Sequence, residues 1–209
     1  MKFLHDSKRV EAFSDGVFAF AATLMVVSLD LNQSFVLMES KLSSFISFGV
    51  SFFVLVMLWK VHYNFFRRTD YMDDWIITFN AILLFVVLYY VFPLKSLVNS
   101  FLGKEPITMD GLASLFELYS AGFLMIFLCL SLMYYRTYRK TKSMDRSLYL
   151  LFYARHFFIY VGIAVISIIL SGLKIGIIFG LPGIVYVLLG PLCYWHAQWF
   201  EKKFRFPLS

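Results

Sequence analysis

The chain alternates long apolar runs with short polar breaks, and the runs fall in one length class. Six of them, near 13–31, 42–66, 75–98, 111–135, 147–171 and 175–199, are predominantly apolar. A helix needs about 20 such residues, at about 1.5 Å each, to cross the roughly 30 Å hydrocarbon layer of a bilayer. The pattern therefore predicts an all-α, polytopic membrane protein whose residues 1–209 form a single domain, one bundle of six transmembrane helices. Aspartates stand at several predicted helix starts, Asp74 for the third span, Asp110 for the fourth and Asp145 for the fifth. There a carboxylate can accept the free backbone N–H groups of the first turn and favour the positive end of the helix dipole. In the last run, Gly180, Pro182, Gly183, Gly190 and Pro191 predict a bend or a local break, because proline removes a donor and clashes with the preceding turn. Aromatic residues gather at the run ends, Tyr71 and Trp75 at one break and Trp195 and Trp199 near the C-terminus, as in the aromatic belts of membrane proteins.

Composition agrees with this pattern. At 60% hydrophobic, and with a mean hydropathy of +0.75, the chain has more apolar surface than one soluble core can hide. A net charge of +6 could point to nucleic acid, but the placement of the basic residues has a simpler reading. Thirteen lysines and arginines fall in the N-terminal tail, the second and fourth breaks and the C-terminal tail, against Lys41, Lys95, Lys104 and Lys174 towards the other face, with Lys60 and Arg155 inside spans. By the positive-inside rule both termini are cytoplasmic, and no nucleic-acid partner is implied. The apolar run after the basic N-terminus continues to Leu29 and carries Asp15, so it is expected to span the membrane and not to be cleaved as a secretory signal. Cys129 and Cys193 both lie within spans and read as packing residues.

The informative residues are those that are costly in hydrocarbon: Asp15, Trp59, Lys60, His62, Asn80, Glu117, Arg155 and His156. Ser14, Asp15, Trp59, His62, Asn80 and Arg155 all lie within about two turns of the cytoplasmic ends of their spans. This predicts a hydrogen-bonded layer that locks helices 1, 2, 3 and 5 together, since an unpaired polar group at that depth is expensive. Lys60 is expected to snorkel, and Glu117 to face an outer vestibule. No HExxH, no GxSxG, no nucleophile with its base, and no TVGYG-like filter occurs in the sequence. The chain is thus expected to be neither an enzyme nor a channel with a carbonyl filter, and to hold no cofactor and no tightly bound metal.

Arg9, Phe13, Ser14 and Asp15 spell RxxxFSD, which runs directly into V-F-A-F-A-A-T-L-M-V-V at 17–27. With W-K-V-H-Y-N-F-F at 59–66, N-A-I-L-L-F-V-V-L-Y-Y-V-F-P-L-K at 80–95 and S-L-M-Y-Y-R-T-Y at 131–138, the chain resembles the prokaryotic branch of the endosomal and lysosomal potassium channel family named transmembrane protein 175. The resemblance implies a bacterial or archaeal cell membrane as the setting, and a homotetramer of single six-helix repeats in which the first helices line a central pore. It implies a potassium-permeable leak channel whose selectivity comes from hydrophobic side chains and a threonine layer, with other monovalent cations and protons as further permeants. It places the FSD motif at the cytoplasmic end of the pore helix, holding that helix against its neighbours. One stripe of that helix, Phe20, Thr23, Leu24 and Val27, recurs at spacings of three and four. Periodicity alone reads this stripe as packing; the resemblance makes it the constriction, with potassium passing Thr23, and Phe20 stands where relatives carry isoleucine or leucine. The competing reading is a small proton- or cation-coupled secondary transporter in which Asp15, His62 and Arg155 change protonation. Against it, no inverted repeat is visible in the sequence.

Overall fold

The computed structural model describes residues 6–27, 38–101, 108–141 and 144–204, and they are helical almost throughout. The long helices are α1 (Ser7–Val27), α2 (Met38–Arg68), α3 (Asp74–Phe101), α4 (Met109–Lys140) and α5 (Met144–Gly172). Each contains a stretch long and apolar enough to cross a membrane. After α5 come a 3-10 turn at Ile177–Phe179, the short α6 (Leu181–Ile184), a 3-10 stretch at Val185–Leu188, and α7 (Leu189–Phe204).

This last segment corrects the sixth predicted span. The run 175–199 is not one helix from its start, because Lys174, Gly176 and Gly180 all take positive φ, at 57°, 64° and 66°. At Gly176 a Cβ would stand 2.7 Å from the Leu181 side chain, so that turn needs glycine both for its conformation and for its space. One turn of α-helix returns at Leu181, with Pro182 where its missing N–H costs nothing, and continuous α-helix begins only at Leu189, after the 3-10 stretch. The break foreseen from Gly180 and Pro182 is present, but it shifts the helical run towards the C-terminus.

Neighbours in the bundle follow chain order. α1 packs on α2 and α3, α3 on α4, α4 on α5, and α5 on α6 and α7. One core runs through α1 to α5, with Phe18, Met25, Phe65, Leu83, Met133 and Tyr134 among its buried members. On α1 the buried face is Ser14, Phe18, Ala21 and Met25, spaced four, three and four as a single helical stripe requires. Small satellite cores close the two ends of the bundle: Leu97, Ala113, Phe116 and Ile177 at one, and Leu151, Phe152 and Phe200 at the other.

The basic end is stitched by side chains that the sequence leaves unpaired. Arg68, in the last turn of α2, donates to the hydroxyls of Tyr134 and Tyr153 at 3.0 Å each, and its guanidinium carbon lies 3.8 Å from the Tyr153 ring centroid. Arg146 donates to the Arg68 carbonyl at 3.1 Å and to Asp70 at 3.2 Å. At the opposite end Lys174 pairs with Asp110 at 2.7 Å, both exposed. The caps also differ from expectation. Asp73, not Asp74, accepts the Ile76 amide at 3.1 Å, and Thr108, not Asp110, accepts that of Gly111 at 3.1 Å; the side chain of Asp145 lies outside the described residues.

Asp73 also accepts from Arg136 Nε at 2.9 Å and from the Tyr71 hydroxyl at 3.0 Å, so it ties α3 to α4. Burial alone would raise its pKa, but the Ile76 amide, Arg136 and Tyr71 outweigh burial and hold the carboxyl below its ordinary range. A carboxylate with a lower pKa folded than unfolded stabilises the fold above the ordinary value of about 4. That contribution is lost as pH falls through the lower, folded value. Asp73→Asn, which keeps an oxygen for the Ile76 amide, is therefore expected to melt below the parent at neutral pH, with the gap closing in acid. A gap that persists unchanged in acid melts would remove the carboxylate's charge from the account.

Candidate functional site: a polar lock and an uncovered face on the first helix

Ser14, His62 and Asn80 stand on three helices, each roughly 9–10 Å in from the basic end at about 1.5 Å per residue, and all three are buried. They form one chain of hydrogen bonds. Ser14 Oγ donates to the Val10 carbonyl at 2.8 Å, which commits its proton to its own helix. It can then only accept from Asn80, whose Nδ2 lies 3.0 Å away. With its amide nitrogen turned to Ser14, Asn80 presents Oδ1 to His62 Nε2 at 2.7 Å. The proton of His62 must therefore sit on Nε2, as in a neutral imidazole with one donor and one acceptor nitrogen. Phe18 and Phe66 flank that ring at 5.3 and 4.9 Å between centroids.

A second link lies beside the first. Trp59 Nε1 donates to Asp15 Oδ1 at 2.8 Å, joining α2 to α1 at a less buried position. Successive residues on a helix are turned by about 100°, so Ser14 faces α3 while Asp15 faces the α1–α2 seam. That bond closes one end of an open, almost wholly apolar groove of about 360 Å³ between α1 and α2, floored by Ala19 and Ala22 and walled by Phe52 and Val56.

Of the predicted layer, Ser14, Asp15, Trp59, His62 and Asn80 come together and Arg155 does not. Arg155 is exposed on α5, which packs on α4, α6 and α7, and its guanidinium carbon lies 6.0 Å from the Trp199 ring centroid on α7. Arg9 is exposed at the start of α1, and so is Phe13. The four motif residues thus point different ways, with Ser14 and Asp15 making the interhelical bonds.

The other face of α1 is uncovered. Phe20 is 55% exposed and Val27 74%, Thr23 is exposed and Leu24 half-buried. Phe13, 67% exposed, belongs to the same face. Its spacing of seven to Phe20 was the signal for this, and reading it only as a motif residue hid it. Thr23 donates its hydroxyl to the Ala19 carbonyl at 3.1 Å, so what it offers outward is oxygen lone pairs. Among the described residues no group of three or more His, Cys, Asp or Glu is placed to hold a metal ion.

Three comparisons bear on this arrangement. The sequence profile of the endosomal/lysosomal potassium channel TMEM175 matches residues 9–90, the stretch that carries α1, α2 and the bonds between α1, α2 and α3. A potassium channel of Marivirga tractuosa is 34% identical over 160 residues, 69% of this chain and 64% of that one, so the match spans a little under two thirds of the relative. A potassium channel of Chamaesiphon minutus is 27% identical over 68% of this chain and 70% of its own length. Among solved structures, a variant of the potassium channel MtTMEM175, crystallised with a nanobody fusion, superposes with a TM-score of 0.72 at 27% identity over 93% of both chains. A potassium-selective TMEM175 homologue from Chamaesiphon minutus shares the fold, with a TM-score of 0.62 at 22% identity over 88% of this chain and 97% of that one.

Proposed function

We propose that this chain, a relative of the endosomal/lysosomal potassium channel TMEM175, is a potassium-permeable leak channel, a homotetramer whose pore is lined by α1. The observation that carries this reading is the two-sidedness of α1. One face is locked to α2 and α3 through Ser14, Phe18, Ala21 and Met25, while the opposite face leaves Phe20, Thr23 and Val27 exposed among the described residues. Apolar exposure alone would suit lipid, but lipid gives no reason for a polar lock that fixes the rotation of this one helix. Four such faces around an axis enclose an apolar path with one oxygen layer at Thr23, which replaces a carbonyl filter with side chains. The groove between α1 and α2 is then covered by the neighbouring subunit, and the six runs form one membrane domain, with Leu181–Phe204 as its sixth crossing.

Purified protein in planar bilayers tests this directly. Single-channel currents that reverse towards the potassium potential in mixed potassium and sodium are expected. Flux that requires a coupled gradient of a second ion would indicate the carrier instead, and would overturn the channel reading. Protons are a further expected permeant, read as a current that remains when potassium and sodium are replaced by an impermeant cation.

Topology has its own check. Both termini and the basic segment 136–146 are placed in the cytoplasm, so single cysteines introduced there should resist an impermeant thiol reagent applied from outside, while cysteines in 99–110 react. The reverse pattern would end this topology.

A further inference from the structure

Away from the basic end, the bundle buries a set of hydroxyls that the pore does not use. Ser120 on α4 and Ser167 on α5 are fully buried and lie 2.7 Å apart. Ser167 Oγ donates to the Pro182 carbonyl at 2.8 Å, so the proton between the two serines must come from Ser120. Pro182 sits in α6, just before the chain tightens into the 3-10 stretch Val185–Leu188. The serine pair therefore ties the broken part of the last crossing to α4 and α5.

Around this pair stand hydroxyls with no partner. Tyr90 on α3, Tyr186 in the 3-10 stretch and Ser171, one turn beyond Ser167, have inaccessible oxygens that make no hydrogen bond. The Tyr186 hydroxyl lies close to those of Ser120 and Ser167, and that of Tyr90 to that of Tyr119, but distance and angle together fall short of a well-formed hydrogen bond in each case. The Tyr119 ring spans the two, at 5.3 Å from Tyr90 and 5.7 Å from Tyr186. The approach of Tyr90 to α4 depends on Gly122, where a Cβ would stand 2.6 Å from the tyrosine ring. Buried hydroxyls without partners are costly, and three around one bonded pair are the setting in which buried water is held.

We propose that this cluster is a water-binding site inside each protomer, in which ordered water completes the hydrogen bonds of Tyr90, Tyr186 and Ser171 and is reached past Glu117. The chemistry favours water over a cation. Hydroxyls and one carbonyl form a neutral set with protons to give and lone pairs to receive, which water matches on both counts; a dehydrated cation would find no formal negative charge among them. Glu117 marks the way in. It is half-buried on α4, three residues before Ser120 and so on the same face. Its Oε1 stands 3.4 Å from where a Cβ on Gly172 would be, beside Ser171 at the end of α5. Water there also solvates the stretch Val185–Leu188, where the backbone of the last crossing leaves regular α-helix, which hydrocarbon alone does not tolerate.

X-ray hydroxyl-radical footprinting of the full chain in lipid nanodiscs reads this without any channel activity, because radicals form where water is bound. Tyr90 is expected to be oxidised several-fold faster than Tyr134, which is equally buried but has its hydroxyl bonded to Arg68; Tyr186, whose ring is half-buried, is expected to exceed Tyr134 as well and is read mainly against its own rate in the Ser167→Ala variant. Rates no faster than that of Tyr134 would overturn the site. Ser167→Ala, judged on folded protein, should slow oxidation of Tyr186 and leave Tyr134 unchanged; an unaltered Tyr186 rate would equally overturn the assignment. Neither result depends on whether the protein conducts.

Discussion

Replacing Asn80 with alanine is expected to destabilise the protein more than any other single change in the polar lock. Asn80 is the only link between His62 and Ser14, accepting from one at 2.7 Å and donating to the other at 3.0 Å. Ser14 still has the Val10 carbonyl for its proton when Asn80 is gone, so it loses only a donor to its lone pairs. His62 loses more. Its Nε2–H is left buried with no acceptor, beside an Nδ1 that already has none, and an orphaned buried donor costs about 1–3 kcal/mol. The effect should appear as a melting temperature lower by several degrees and a smaller tetramer fraction in size-exclusion chromatography. The asymmetry between removing one partner and removing both supplies the control. Asn80→Leu combined with His62→Phe takes away the polar pair and leaves an aromatic ring in a pocket already lined by Phe18 and Phe66, so the double variant should recover much of what Asn80→Ala loses. A double variant as unstable as the single one would mean that packing, not hydrogen bonding, sets the cost at this layer.

The same layer shows what the sequence makes legible. Polar groups in hydrocarbon must find one another, and their depth can be counted from the ends of the runs, so Ser14, Asp15, Trp59, His62 and Asn80 were recognisable as a set before any coordinates. Which atom meets which was not, because it depends on rotation about each helix axis and on which helices are neighbours. That is why one network resolves into two links, Ser14–Asn80–His62 and Asp15–Trp59, and why Arg155, exposed on a helix that packs on α4, α6 and α7, joins neither. The last crossing carries the same lesson. Gly180 and Pro182 announce a break, but its length follows from three residues with positive φ, one of them Lys174, which no glycine pattern reveals. Thr108 and Asp73 were overlooked as caps for a simpler reason. A charged residue one or two positions later looked equally able to serve, and the choice rests on a turn geometry of a residue or two.

The largest functional effect is expected at Phe20. In the proposed fourfold assembly its exposed ring would point to the axis, and four phenyl rings at one level would form an apolar neck that sheds water, so that an ion crosses it only by giving up part of its hydration. Phe20→Ala widens that neck without touching the buried face of α1, which is carried by Ser14, Phe18, Ala21 and Met25. Single-channel conductance should rise several-fold and the preference for potassium over sodium should fall, because a hydrated ion of either kind then fits. Thr23, one turn further on, acts in the opposite sense. Its proton is already spent on the Ala19 carbonyl, so its oxygen can receive a cation but offers an anion nothing. Thr23→Val keeps the shape of the side chain and gives up one weak bond within its own helix, so folding should be unaffected while selectivity drops. Both variants must first be seen as intact tetramers with parental melting temperatures. If, in that state, each conducts with the parent's conductance and the parent's ion preference, then Phe20, Thr23, Leu24 and Val27 are not the constriction, and this face of α1 is covered by another helix or by lipid.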